Sequence, residues 1–122
     1  MTTKVYFNSA CPVCKAGIES QQQRMVACGA TDVEWIDVHR EPERVAEVGA
    51  PLEAVRERLY VRNADGSLDV GADAFNSLWS QTRGQHWLAA LGRLPGLTML
   101  WRLAYNGFAR LLYRWNRRNG RW

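Results

Sequence analysis

Hydrophobic and polar positions change period several times along this chain. Residues 4–7, Lys-Val-Tyr-Phe, are a short β-branched and aromatic run ending at Asn8-Ser9, and residues 33–38, Val-Glu-Trp-Ile-Asp-Val, are a second run of alternating character. Both patterns predict strands. Between them, residues 12–28 contain no internal proline, set Cys14, Ile18, Met25 and Cys28 on one face, and meet Gly29 as a C-cap. That spacing predicts a helix, and a strand-helix-strand order of this length folds as a right-handed parallel unit.

Residues 41–55 read as a short helix interrupted by Gly49-Ala50-Pro51, followed by a third strand over 58–62. Asp65-Gly66 is a tight-turn dipeptide leading into residues 67–70, so the third and fourth strands should pair as an antiparallel hairpin. A further helix begins near Gly71-Ala72-Asp73, with Phe75, Leu78 and Trp79 at helical spacing. Pro95-Gly96 then separates residues 85–94 from a final helix over 97–118. The resulting order, βαβ-α-ββα, predicts an α/β fold of thioredoxin-like arrangement with an additional C-terminal amphipathic helical segment. Residues 1–94 would form the thioredoxin-like domain, and 95–122 a basic helix packed on it.

Length and composition fit one domain: 122 residues, 47% of them apolar, can build a core without staples. Three cysteines are an odd number, which argues against a fully paired disulfide framework and for a reducing compartment. The first dozen residues lack the apolar stretch of a leader peptide, so a soluble cytoplasmic protein is expected. The net charge of +4 conceals an asymmetry, because all 12 acidic residues precede Ala74 whereas residues 74–122 carry eight arginines and no acid.

Candidate chemistry centres on Ala10-Cys11-Pro12-Val13-Cys14, which follows a strand and opens a helix. Cys11 falls at the N-cap, and Pro12 at the first helical position, where a missing amide hydrogen costs nothing. Free backbone donors and the helix dipole favour a thiolate there, and such placement lowers a thiol from its ordinary pKa of about 8.5. Cys11 is thus the candidate attacking thiol. Cys14, one turn further in, is expected to be more buried and less ionised, and to resolve the mixed disulfide. The competing reading of the pair is half a zinc site or two inert thiols. No metal site and no bound cofactor are expected.

Two further residues bear on the site. Cys28 lies about 21 Å from Cys14 along the same helix, too far to share a metal or a disulfide, and reads as a buried core thiol. His39 follows the second strand, whose carboxyl end opens on the same edge as the first. It is a candidate auxiliary group that could favour the thiolate or carry protons, against the plainer reading of a solvated loop histidine.

Projected as a helix, Leu97, Leu100, Trp101, Ala104, Phe108, Leu111, Leu112 and Trp115 form one stripe, with Arg102, Arg110, Arg114, Arg117, Arg118 and Arg121 opposite. The plainest expectation is that this stripe packs on the domain or on a partner. Tryptophan and leucine opposite arginine is also the composition of an interfacial helix on an anionic membrane. Nucleic-acid contact is the weakest reading, because no recognised binding motif accompanies the arginines.

The Cys-Pro-Val-Cys site in its strand-helix context, with Gly71-Ala72-Asp73-Ala74-Phe75 and Leu78-Trp79 further on, resembles the DCC family of thiol-disulfide oxidoreductases. Tyr6, Cys11, Cys14, Asp37, Gly71 and Ala74 match positions of that pattern. The chain departs from it at Asn8-Ser9, where the family usually has an acidic residue and glycine, so Asn8 cannot serve as a proton acceptor. It departs from thioredoxins proper in having no proline directly before the third strand. The Cys-Pro-x-Cys form is also similar to that of glutaredoxins, which points to glutathione as a co-substrate. The resemblance implies disulfide exchange through Cys11 and Cys14 with protein or low-molecular-weight thiol substrates. The alternative is a non-catalytic thioredoxin-like module that presents its basic helix to a protein or membrane surface.

Overall fold

The computed structural model describes residues 3–29, 32–82 and 84–120. Four strands, β1 (Thr3–Phe7), β2 (Val33–Asp37), β3 (Tyr60–Arg62) and β4 (Leu68–Val70), form one sheet in the order β2-β1-β3-β4. β2 runs parallel to β1, whereas β3 is antiparallel to both β1 and β4. The helices are α1 (Pro12–Ala27), α2 (Leu52–Glu57), α3 (Ala72–Ser80), α4 (His86–Gly92) and α5 (Leu97–Arg118), with a 3₁₀ segment at Pro42–Val48. This is the thioredoxin-like α/β arrangement with an added C-terminal helix that the residue pattern predicts.

The two-residue period of β1 sorts the core into two layers. Val5 packs with Ile18 and Met25 of α1 and with Ala74 and Leu78 of α3. Tyr6 points to the opposite face, where it packs with Ile36, Val48 and Val55. There its hydroxyl donates to Glu47 at 2.7 Å. Glu47 also pairs with Arg44, whose guanidinium reaches Glu34 and Glu41 as well, so one arginine ties the 3₁₀ segment to β2.

Gly49-Ala50-Pro51 interrupts the helical pattern as expected, with Gly49 in the left-handed region at φ 67°. The third strand is shorter than the predicted 58–62, because α2 runs to Glu57 and Arg58 caps it. The turn at Asp65-Gly66 forms through the Asp65 carboxylate, which accepts from the Ser67 N–H and hydroxyl.

Two expectations from the apolar pattern need correction. Cys28 is half-buried rather than a core thiol: α1 ends at Ala27, and Cys28 takes cap geometry with its thiol turned back to the Met25 carbonyl at 3.4 Å. Its place on the inner face is taken by Gln21, buried and donating to Thr82 Oγ1 at 3.0 Å and Gln85 Oε1 at 2.7 Å.

The second correction concerns α5, which packs on the domain by only part of the predicted stripe, Trp101 and Leu112, joined by residues outside it. Trp101, Tyr105, Ala109, Leu112 and Asn116 turn inward, whereas Leu100, Phe108 and Leu111 are 63, 55 and 67% exposed. The reason lies in what the inner face meets. Trp101 stacks on Trp79 at 5.6 Å, Tyr105 packs against Phe75 at 5.6 Å, and Trp101 Nε1 donates to the Ala72 carbonyl. Aromatic pairs of this kind contribute about 0.5–1.5 kcal/mol each beyond their buried area, enough to choose this face over a purely aliphatic one.

α5 touches α2, which lies on one face of the sheet, and α3, which lies on the other. It therefore crosses the end of the sheet. Tyr105 fixes which end, since its hydroxyl accepts from the N–H of Leu59, the residue before β3. β3 is antiparallel to β1, so β3 begins where β1 finishes, at the edge from which Cys11 emerges.

Candidate active site

β1 hands the chain to α1 through a loop that its own side chains hold. The buried Asn8 carboxamide oxygen accepts from the Ala10 N–H at 3.1 Å, and the Asn8 carbonyl accepts from the Cys11 N–H at 3.3 Å. The Asp37 carboxylate, at the end of the parallel strand β2, accepts from the N–H groups of Ser9 at 3.2 Å and His39 at 3.0 Å. Burial works against the charge on Asp37, but the Ser9 side chain, those two backbone donors and the nearby Arg40 outweigh it and hold Asp37 below the usual carboxylate range. Both strand ends are thus clamped to one carboxylate, two residues ahead of Cys11.

Cys11 occupies the N-cap with extended backbone, and Pro12 follows at the start of the helix. The Cys11 sulfur does what an N-cap oxygen does: it accepts the Cys14 N–H, at 3.3 Å. The Cys14 thiol lies alongside, and its hydrogen bond is the largest influence favouring the Cys11 thiolate. The backbone donors of Cys14 and Val13 and the side-chain amide of Asn116 add to it, and together they overcome burial to bring Cys11 down to about 6. Cys14 moves the other way. The hydrogen bond to Cys11, burial and the neighbouring thiolate all push its thiol well above the ordinary range.

Cys11 is thus the more acidic of the two thiols, but it is not the more accessible. Cys11 has no exposed surface, whereas Cys14 is half-buried. The cover over the N-cap comes from α5, which brings Asn116, 1% exposed, against the Cys11 sulfur. Beside the pair, Cys14 lines an apolar cavity of about 190 Å³ together with Phe7, Val13, Leu59, Tyr105 and Phe108. Asn8 also lines it, and its Nδ2 is buried with no hydrogen-bond partner among the described residues.

Cys11, Pro12 and Cys14 are thus brought together, and His39 is not brought to them. It is exposed, and it joins the site through its backbone N–H on Asp37, with no hydrogen bond from its imidazole to either sulfur. No group of three or more histidine, cysteine or acidic side chains among the described residues could hold a metal ion. No helix among the described residues is long and apolar enough to cross a membrane.

Asn116 and Tyr105 are the site residues that sequence reasoning missed. Their signal was present, since Asn116 continues the four- and three-residue spacing of Trp101, Tyr105, Ala109 and Leu112. An uncharged polar residue in register with that row marks a face turned toward a polar partner.

Neither a comparison with curated proteins nor one with solved structures returns a match. A family model does match, over residues 5–118, and so takes in the end of β1, the cysteine pair and the whole of α5. On that match the chain belongs to the DCC1-like thiol-disulfide oxidoreductase family.

Proposed function

We propose that this protein exchanges disulfides through a mixed disulfide at Cys11, resolved by Cys14. The observation that carries this reading is the Cys11 sulfur accepting the Cys14 N–H at 3.3 Å at a helix start, with its thiol brought down to about 6. A thiol so placed is largely thiolate at neutral pH, and the thiolate is the attacking species. Pro12 holds the first turn in helical geometry without spending a donor.

In the first step the Cys11 thiolate attacks one sulfur of a substrate disulfide. The Cys11–substrate bond forms, the substrate S–S bond breaks, and the departing half leaves as thiolate. The negative charge on Cys11 is then gone, and with it the charge and hydrogen bond that had kept Cys14 protonated. Cys14 gives its proton to the departing thiolate and attacks Cys11, which releases the second half and leaves a Cys11–Cys14 disulfide. Two electrons have passed to the substrate, and a low-molecular-weight thiol such as glutathione returns them. The cavity lined by Cys14 is the proposed approach, with α5 giving way over Cys11 as substrate enters. Three free cysteines suit a reducing compartment, and we place the protein in the cytoplasm.

Capture of the intermediate tests the scheme. Cys14→Ser should accumulate a mixed disulfide on Cys11 when the reduced protein meets an oxidised peptide or oxidised glutathione, and Cys11→Ser should accumulate none. Capture only on Cys14, in the Cys11→Ser protein, would reverse the two roles. Capture on neither would overturn the exchange reading.

A further inference from the structure

Most of the apolar stripe that the sequence marks on α5, apart from Trp101 and Leu112, is left open by the fold, and this uncovered face is the least explained feature of the molecule. Leu100, Leu103 and Leu111 are 63, 64 and 67% exposed, and Phe108 and Trp115 flank them at 55 and 44%. α4 and the turn after it leave Trp87, Leu91 and Leu94 open as well. An exposed row of this kind is not the cost of a full core, because α5 already buries a separate face against α2, α3 and α4.

Charge indicates what covers it. Residues 74–122 contain eight arginines and no acid. Arg102 and Arg117 are taken up by Asp73 and Glu53, both from the acidic first part of the chain. Arg110, Arg114 and Arg118 are exposed, make no ion pair among the described residues, and at helical spacing share the outer face with Leu100 and Leu103. A second copy of the chain would bring these arginines against their own kind. An anionic surface would neutralise them while it received the leucines.

We propose that the outer face of α5 docks on a bilayer surface carrying anionic lipids, with α5 lying in the plane of the headgroups. α5 is 22 residues long, about 33 Å, yet is not apolar enough to cross a membrane. A helix with leucine and tryptophan on one face and arginine beside them lies in the interface, and basic residues near such a surface add to its attraction for anionic lipid. The inner face, with Tyr105 and Asn116, stays on the domain in this arrangement, while Phe108 borders both the docking row and the cavity beside Cys14.

The test is co-sedimentation of the reduced full chain with vesicles of phosphatidylcholine alone, or with one-third phosphatidylglycerol. The protein should sediment with the anionic vesicles only, and less so as salt is raised. Arg110→Gln with Arg114→Gln should lower the partition by roughly 25-fold, since one basic residue at such a surface is worth about fivefold. Leu100→Gln with Leu111→Gln should lower it at least about tenfold with circular dichroism and Cys11 alkylation unchanged. Failure to bind anionic vesicles at low salt would overturn the proposal. So would binding that the leucine pair does not weaken, which would mean adsorption through arginine alone. A dimer in solution that the leucine pair dissociates would give the face to a second copy instead.

Discussion

The buried side-chain amide of Asn116, near the end of the last helix, lies beside the sulfur of Cys11 at the start of the first and favours its thiolate. Asn116 is itself buried, and its carboxamide oxygen has no hydrogen-bond partner among the described residues. A buried amide beside a thiol stabilises the charged form of that thiol more than the neutral one.

Removing that amide should make Cys11 a weaker acid. Hydrogen bonds to a charged group contribute about 1.5–3 kcal/mol, so Asn116→Ala should raise the midpoint of Cys11 alkylation with pH by about one to two units. Asn116→Asp should raise it further, because a carboxylate beside a thiolate is repulsive. A purely structural role for Asn116 would lower thermal stability in both variants and leave the alkylation midpoint at about 6.

The stability of the reduced protein should itself depend on pH. Between about 6, where native Cys11 titrates, and the free-thiol value near 8.5, the unfolded chain keeps the proton and the native chain does not. Stability therefore rises with pH across this window, by at most about 1.4 kcal/mol per unit for one proton. Above the free-thiol value Cys14 acts in the opposite sense, because unfolding releases a proton that the native state retains. Urea midpoints measured under reducing conditions should climb from pH 6 to 8 and then turn over, and Cys11→Ser should flatten the climb.

The same thiolate stabilises the reduced form over the disulfide. The pair should therefore be a readier oxidant than thioredoxin, with a potential less negative than about −230 mV in equilibration with glutathione. A value near −270 mV would mean that the ionisation of Cys11 does not govern the redox equilibrium.

Much of this was legible in the residues, and what was not has a common cause. β1, α1, β2, the hairpin and the position of Cys11 follow from local pattern: period two, period 3.6, a proline at a helix start and an Asp-Gly turn. The face that α5 presents was not legible, because the helix carries two apolar rows. The leucine-rich one is the stronger in hydropathy, whereas the aromatic one finds Trp79 and Phe75 to pack on. The order of burial at the pair failed for the same reason, since Cys11 is covered by a residue more than a hundred positions later. A truncation that removed α5 would take Asn116 from beside Cys11 and the Tyr105 acceptor from Leu59 along with the basic face.

Gly92 should be intolerant of even a methyl group. A Cβ there would lie 2.7 and 2.8 Å from Nδ2 and Cγ of Asn76, whose short side chain is buried and already donates to the Gly92 carbonyl at 3.4 Å. Alanine gains about 1 kcal/mol in helix propensity over glycine, but overpacking costs about 1–3 kcal/mol and the atoms met belong to a short, buried amide. Gly92→Ala should therefore lower the melting temperature, and the Gly92→Ala, Asn76→Ala pair should recover part of the loss.

Tyr105 offers the sharpest test of what seats α5 over the site. Its ring packs between Phe75 and Trp101, and its hydroxyl accepts the Leu59 N–H at 3.2 Å, so the helix is held both by area and by one backbone donor. Tyr105→Phe keeps the ring and removes only the acceptor, which leaves an N–H unpaired beside the cavity at a cost of about 1–2 kcal/mol. The melting temperature should fall by roughly 4–10 °C. Tyr113→Phe removes a hydroxyl of the same helix from the exposed carboxylate of Glu53, and an exposed contact of that sort contributes little, so its effect should be within about 0.5 kcal/mol. If α5 covers Cys11, the two variants should also part in a second measurement. Alkylation of Cys11 at saturating pH should quicken in Tyr105→Phe, where the seat is loosened, and stay unchanged in Tyr113→Phe. Equal rates in both would mean that the cover over Cys11 is held elsewhere than at Leu59.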